Sequence, residues 1–301
     1  MTTFKVVLPE ALATMPAKAF LHQKGISNTL WKRIKHSGTF KVNGEIMNAA
    51  RTMLKNGDTV SYQVEKPSEI EPEALPLDIR YEDEYLLIVN KPPGQLVHPT
   101  TKEARGTLAG AVLYHYKGNG ETHSYHPIHR LDRDTSGLVL IAKEPQVQYL
   151  LASKDGTKLF HREYLAIVAG APEPAEGLID APIARALPSI ILRKVSSEGK
   201  EARTHYKTLS SIEREGKLLS LVELKLETGR THQIRVHMSY LGHPLLGDDL
   251  YGGSLGLIQR QALHACRLHF VHPITKELID ISAELPQDML HLLSSGTSPL
   301  P

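Results

Sequence analysis

Apolar and polar positions follow two different periods along this chain, and their order sketches a fold before any single residue is weighed. Tyr85 Leu86 Leu87 Ile88 Val89 Asn90 is an apolar run of strand length, stopped by Lys91 Pro92 Pro93 Gly94, where two prolines and a glycine force a turn. Leu138 Val139 Leu140 Ile141 Ala142 and Glu163 to Gly170 read as further buried strands, and others are expected at Arg203 to Leu209 and Leu218 to Leu226. Helical spacing occurs twice in this region. Leu108, Ala111, Val112 and His115 share a face within Thr107 to His115, and Ile234, Met238 and Leu241 recur within Thr231 to Leu241, where Gly242 is placed to end the helix.

Nearer the start, Leu21 to Gly25 is followed by Ser27 as the cap of a helix from Asn28 to His36, closed by Ser37 and Gly38. Thr39 Phe40 Lys41 Val42 then leads into the hairpin pair Asn43 Gly44, and Thr59 to Val64 alternates at the strand period. Many strands and few helices, without regular alternation between them, predict an α+β fold rather than a doubly wound parallel sheet.

At 301 residues the chain has material for one large domain and a small one. Its net charge of +2 is too small to mark a nucleic-acid binder, but the charge is unevenly spread. From Lys18 to Lys66 there are nine Lys or Arg against three acids, whereas Pro67 to Glu84 carries seven acids and one Arg. The shift sets a boundary near residue 67, and Pro67, Pro72 and Pro76 favour an extended connector poor in hydrogen bonds. The single cysteine, Cys266, excludes an internal disulfide and reads as a small core residue. With no membrane-length apolar run and no signal-peptide pattern in Met1 to Lys5, a cytoplasmic monomer without a membrane partner is expected.

The candidate chemistry centres on His129 Arg130 Leu131 Asp132 Arg133 Asp134 Thr135 Ser136 Gly137, which feeds the apolar run at Leu138. A carboxylate on a loop held by a core strand can be aimed, yet a structural ion-pair turn is an equally good reading of these charges. Residue types alone do not choose between Asp132 and Asp134. His123, His126 and His129, and later His264, His269 and His272, invite a metal. Pro127 breaks any helix through the first three, and there is no cysteine partner and no helical His-Glu-x-x-His, so no metal is expected. No phosphate-binding glycine loop is present, and Gly252 Gly253 reads as a turn.

His129 to Gly137 resembles the signature loop of the RluA family of RNA pseudouridine synthases. The similarity extends through Glu82 to Gly94, Arg162 to Ala166, Gly229 to His237 and Gly242 to Asp248, covering nearly all of residues 81 to 280. The resemblance implies a mixed, mainly antiparallel central sheet with flanking helices. It also implies cofactor-free isomerisation of a uridine in structured RNA, with ribosomal RNA favoured and transfer RNA the alternative. It selects Asp132 as the catalytic acid, and implies that Tyr164 stacks on the target uracil, that Arg235 pairs with Asp132 and that Arg130 helps displace the target nucleotide. Around them, His129, Leu131, Thr135, Ser136, Arg162, Arg230, His232 and Gln233 are expected to bind the substrate.

The N-terminal order, Trp31 to Lys35, then Lys41 to Gly44, then Leu54 to Val60, partly resembles an S4-type RNA-binding domain. The expected organisation is an S4-like module at 1–66, an acidic linker at 67–80, the catalytic domain at 81–290 and a tail at 291–301. Two competing readings remain at this level: an RNA-binding or ribosome-assembly protein that retains the fold, and a metal-dependent hydrolase built on the histidines.

Overall fold

The computed structural model describes residues 2–64, 70–151 and 159–294. The first of these segments forms a small module. It comprises β1 (Thr2–Lys5), α1 (Ala17–Gln23), α2 (Asn28–Ser37), β2 (Thr39–Val42), β3 (Glu45–Ile46) and β4 (Thr59–Gln63). Ser27 caps α2 as its side-chain type predicts, its Oγ accepting the Leu30 N–H at 3.1 Å. Asn43 and Gly44 both take positive φ, 52° and 88°, which matches the right-handed twist of the β2–β3 hairpin. The sheet runs β1-β4-β2-β3, and Phe20, Leu21, Ile34, Phe40, Leu54 and Val60 close a core of its own against the two helices.

The expected connector departs from its reading. Residues 67–69 lie outside the described part, but from Ile70 to Asp78 the chain, without helix or strand, is tied to its neighbours. Glu73 donates its N–H to Gly110 O at 2.9 Å, and its carboxylate accepts the Gly106 N–H. The prolines rightly exclude a helix here; their spacing says nothing about a carboxylate reaching a loop more than 30 residues away.

The large sheet is assembled from β5 (Ile79–Glu82), β6 (Leu86–Lys91), β7 (Ser136–Ala142), β8 (Phe160–Ala169), β9 (Glu176–Asp180), β10 (Arg203–Arg214), β11 (Lys217–Leu226), β12 (Leu263–Val271) and β13 (Leu278–Ser282). Its main order is β9-β10-β11-β8-β12-β7-β6-β5, with β13 on β12 and the short segment His126–Pro127 on β7. Every named pairing is antiparallel except β7 with β12, so the sheet is mixed and mainly antiparallel.

Among the described residues four α-helices flank it: α3 (Leu108–Gly118), α4 (Pro145–Leu151), α5 (Gln233–Tyr240) and α6 (Gln287–Leu293). Val89, Val139 and Ile141 face α3 and α5, whereas Ile88, Leu138 and Leu140 pack with Val147 and Leu151 of α4. Cover on both faces explains why β6 and β7 are continuous apolar runs rather than alternating ones. The expected tail begins inside α6, whose Met289 and Leu292 are buried; residues 295–301 lie outside the described part. No helix among the described residues is long and apolar enough to cross a membrane.

The parallel β7/β12 contact places the loop before β7. Gly137 has φ 114°, and a Cβ there would sit 2.3 Å from Ala265 O, so only glycine permits this approach. Beside it Ser136 Oγ lies 2.9 Å from His264 Nδ1, both residues being buried. Burial pushes the His264 imidazole down to about 4. The folded chain therefore binds fewer protons than the unfolded chain between that value and about 6.5. Stability is full above that window and is lost as pH falls through it, by roughly 2 kcal/mol for this group at pH 5. Denaturant unfolding at pH 7 and pH 5 should show that His264→Asn flattens the loss; an unaltered pH dependence would rule out His264 as its source.

Candidate active site

Two cations, Lys91 buried and Arg260 partly buried, hold the backbone of the loop before β7. Lys91, at the end of β6, donates to Pro92 O (2.7 Å), Gln95 O (2.9 Å) and Arg133 O (2.9 Å). Burial pulls its ammonium down to about 7, while three carbonyls, one for each N–H, favour the charged form. Arg260 donates Nη1 to Asp134 O at 3.0 Å and clasps Asp288 of α6 with Nε and Nη2. Thr135 Oγ1 accepts from Gln261 at 3.2 Å, and the Thr135 N–H closes a turn onto Asp132 O. The loop is thus fixed at three successive residues, which leaves the Asp132 side chain to be aimed.

It is aimed at α5. Asp132 Oδ2 lies 3.1 Å from Arg235 Nη1. The other two guanidinium nitrogens are taken by Asp248, at 2.7 Å from Nε and 2.8 Å from Nη2, and the Asp248 side chain is fully buried. Burial opposes the Arg235 charge, but the bonds and charges of Asp248 and Asp132 outweigh it and raise its pKa further. The Tyr251 ring lies against the guanidinium, 5.0 Å from its carbon.

His232 precedes α5 in the left-handed region, φ 59°, an uncommon conformation for a residue with a Cβ. Its Nδ1 is 2.7 Å from the Tyr251 hydroxyl, which also accepts the Arg193 N–H. His232 Nε2 lies 3.8 Å from Asp132 Oδ2. Burial keeps the His232 pKa below its ordinary value.

The opposite wall comes from β8. Arg162 and Tyr164, two residues apart, project to the same face, and both are buried. Burial raises the Tyr164 phenol. Cys266 makes an extra residue in β12 opposite the Glu163–Tyr164 step, a local irregularity of the kind found beside functional sites.

Every site residue expected from the sequence except Ser136 lines one cavity of about 400 Å³, in which Asp132 is the sole acid among the described residues. Asp134 is outside it, so geometry separates two carboxylates that residue types could not. Ser136 lies behind the loop against His264. His129 forms wall rather than a free contact, its Nε2 accepting the Leu140 N–H at 3.2 Å and its ring stacked on Phe160. Gln233 braces the neighbouring turn: its Oε1 accepts from Thr228 and Arg230 while its Nε2 donates to Arg203 O and Thr204. Arg230 adds a bond from Nε to Glu201 O, and Arg130 is exposed at the rim.

The histidines do not gather. His269 lies beside His161, His272 beside Asp83, and no group of three metal-ligating side chains occurs among the described residues. Sequence reasoning missed Asp248, Tyr251, Lys91 and Arg260. Asp248 did stand at the end of one family-like motif, but nothing local marks an aspartate as the partner of an arginine thirteen residues earlier.

One carboxylate gripped by an arginine, an aromatic wall and an arginine-rich rim suit attack on a flat base attached to a polyanion. Residues 85–240 match the model of the RNA pseudouridylate synthase family. The uncharacterized RNA pseudouridine synthase YjbO of Bacillus subtilis is 44% identical over 284 residues, 93% of this chain and 98% of that protein. Ribosomal large subunit pseudouridine synthase D of Zymomonas mobilis is 43% identical over 248 residues, covering 77% and 76%. Among solved structures, human RNA pseudouridylate synthase domain containing 1 superposes with a TM-score of 0.57 at 27% identity, over 73% of this chain and 86% of that one.

Proposed function

Since the chain belongs to the RluA family of RNA pseudouridine synthases and is an isomerase converting uridine in RNA to pseudouridine, we propose that Asp132 is its reactive carboxylate. Arg235 aims and balances that carboxylate, and Tyr164 stacks on the target uracil. The supporting observation is the 3.1 Å contact between Asp132 and Arg235 inside the cavity that Tyr164 walls.

The isomerisation balances within the nucleoside. The C1′–N1 bond breaks, the freed base turns, and C1′ bonds to C5; the C5 proton leaves and N1 takes one up. No electrons enter or leave, so a carboxylate acting as nucleophile or base meets the need without a cofactor or metal. An aromatic surface holds the base while it is detached, and the base must first be flipped from its stack at a cost of a few kcal/mol. Arg130, exposed at the cavity rim, helps displace the target nucleotide, and Arg230 and His232 complete the substrate-facing surface.

The substrate is ribosomal RNA, a reading supported by the relative named for the large ribosomal subunit. The N-terminal module, S4-like in order, adds phosphate contacts through the basic run Lys32, Arg33 and Lys35 of α2. Pseudouridines mapped in ribosomal and transfer RNA from cells with and without this protein test the assignment. Loss of a ribosomal site is expected; loss confined to transfer RNA would overturn the substrate.

A further inference from the structure

Arg162 is 8% exposed, lines the cavity, and forms no ion pair among the described residues. Its Nε is buried without a hydrogen-bond partner. What it does touch is neutral: the guanidinium carbon lies 5.3 Å from the centre of the Phe160 ring, and the Tyr164 hydroxyl is within hydrogen-bonding reach. Room has been left for it, since a Cβ on Gly229 would meet Nη2 at 3.0 Å. Arg235, by contrast, is balanced by Asp248 and Asp132.

A buried charge without a counter-ion is costly, and a uracil carbonyl cannot neutralise it. From this, and resting on the function proposed above, we infer that Arg162 receives the phosphodiester of the flipped uridine. The bound RNA supplies the missing counter-ion. Two residues along a strand span about 6.6 Å, a separation on the scale of that between a nucleobase and its own phosphate. With the uracil on Tyr164, the phosphate falls at Arg162. The planar guanidinium can offer a phosphate two parallel N–H donors, which a lysine cannot.

Each phosphate neutralised by a protein cation contributes about 0.7 to 0.9 to the slope of log affinity against log salt concentration. Binding of in vitro transcribed ribosomal RNA is therefore measured across a salt series in an Asp132→Asn background, with and without Arg162→Gln. The glutamine change should weaken binding about 10- to 100-fold at low salt and make the slope shallower by about 0.7. Arg162→Lys should keep the slope with part of the affinity. An unchanged slope in folded Arg162→Gln would overturn the phosphate contact.

Should Arg162→Gln fail to fold, inhibition of the unmutated enzyme by uridine 3′,5′-bisphosphate and by uridine is compared. At least about 10-fold stronger inhibition by the bisphosphate is expected from one charge-assisted contact; equal inhibition would overturn the proposal. Tritium release from the same RNA labelled at uridine C5, by the unmutated protein, is scored separately. Its absence sinks the isomerase reading, whereas release with an unaltered salt slope sinks only the role of Arg162.

Discussion

Asp132→Asn is expected to lower tritium release from RNA labelled at uridine C5 by roughly 10³-fold or more, the scale on which removal of a reactive side chain acts. Folding should be nearly untouched. Asp132 is only partly buried, and its loss leaves Arg235 still paired through two nitrogens to Asp248. Asp134→Asn is the matched control, because its side chain lies outside the cavity and its structural bond to Arg260 is made by the backbone carbonyl. It should keep most of the activity. Release by Asp132→Ala at the unmutated rate would remove Asp132 from the reaction.

Asp248→Ala should give the largest loss of stability, about 3 to 5 kcal/mol, because it strands a buried guanidinium whose principal partner is gone. Its activity should fall as well, since Arg235 is then free to leave its line to Asp132. Asp248→Asn keeps the volume and removes the charge, so it separates packing from electrostatics. Replacing both partners, Arg235→Met with Asp248→Leu, should recover much of the stability while remaining inactive. Denaturant midpoints decide the matter: if Asp248→Asn unfolds where the unmutated protein does, the pair carries no such weight.

How much of this was legible beforehand varies from element to element. β6, β7, β8 and α3 were readable from periodicity and end signals, and Ser27 and Asn43–Gly44 behave as their chemistry requires. The α6 helix was not foreseen, because it straddles the expected boundary between catalytic domain and tail at residue 290 and its apolar positions acquire meaning only against Ile167 and Leu219. That the connector forms no helix was foreseen, its anchorage at Gly106 and Gly110 was not. Ser136 was counted with the substrate contacts because it sits in the loop motif, yet the strand period turns it toward His264.

Residue order by itself determined which segments are buried strands and where runs of like charge begin and end, because those properties depend on neighbours a few residues away. It could not choose between Asp132 and Asp134 without help from family resemblance. Tertiary structure made that distinction visible as geometry, bringing Asp132 within 3.1 Å of an arginine 103 positions along the chain and leaving Asp134 outside the cavity. It also decided which of the two buried arginines, Arg235 and Arg162, has carboxylates to balance it among the described residues. Charge compensation is a matter of distances of a few ångströms between groups far apart in sequence, and only the folded chain sets those distances.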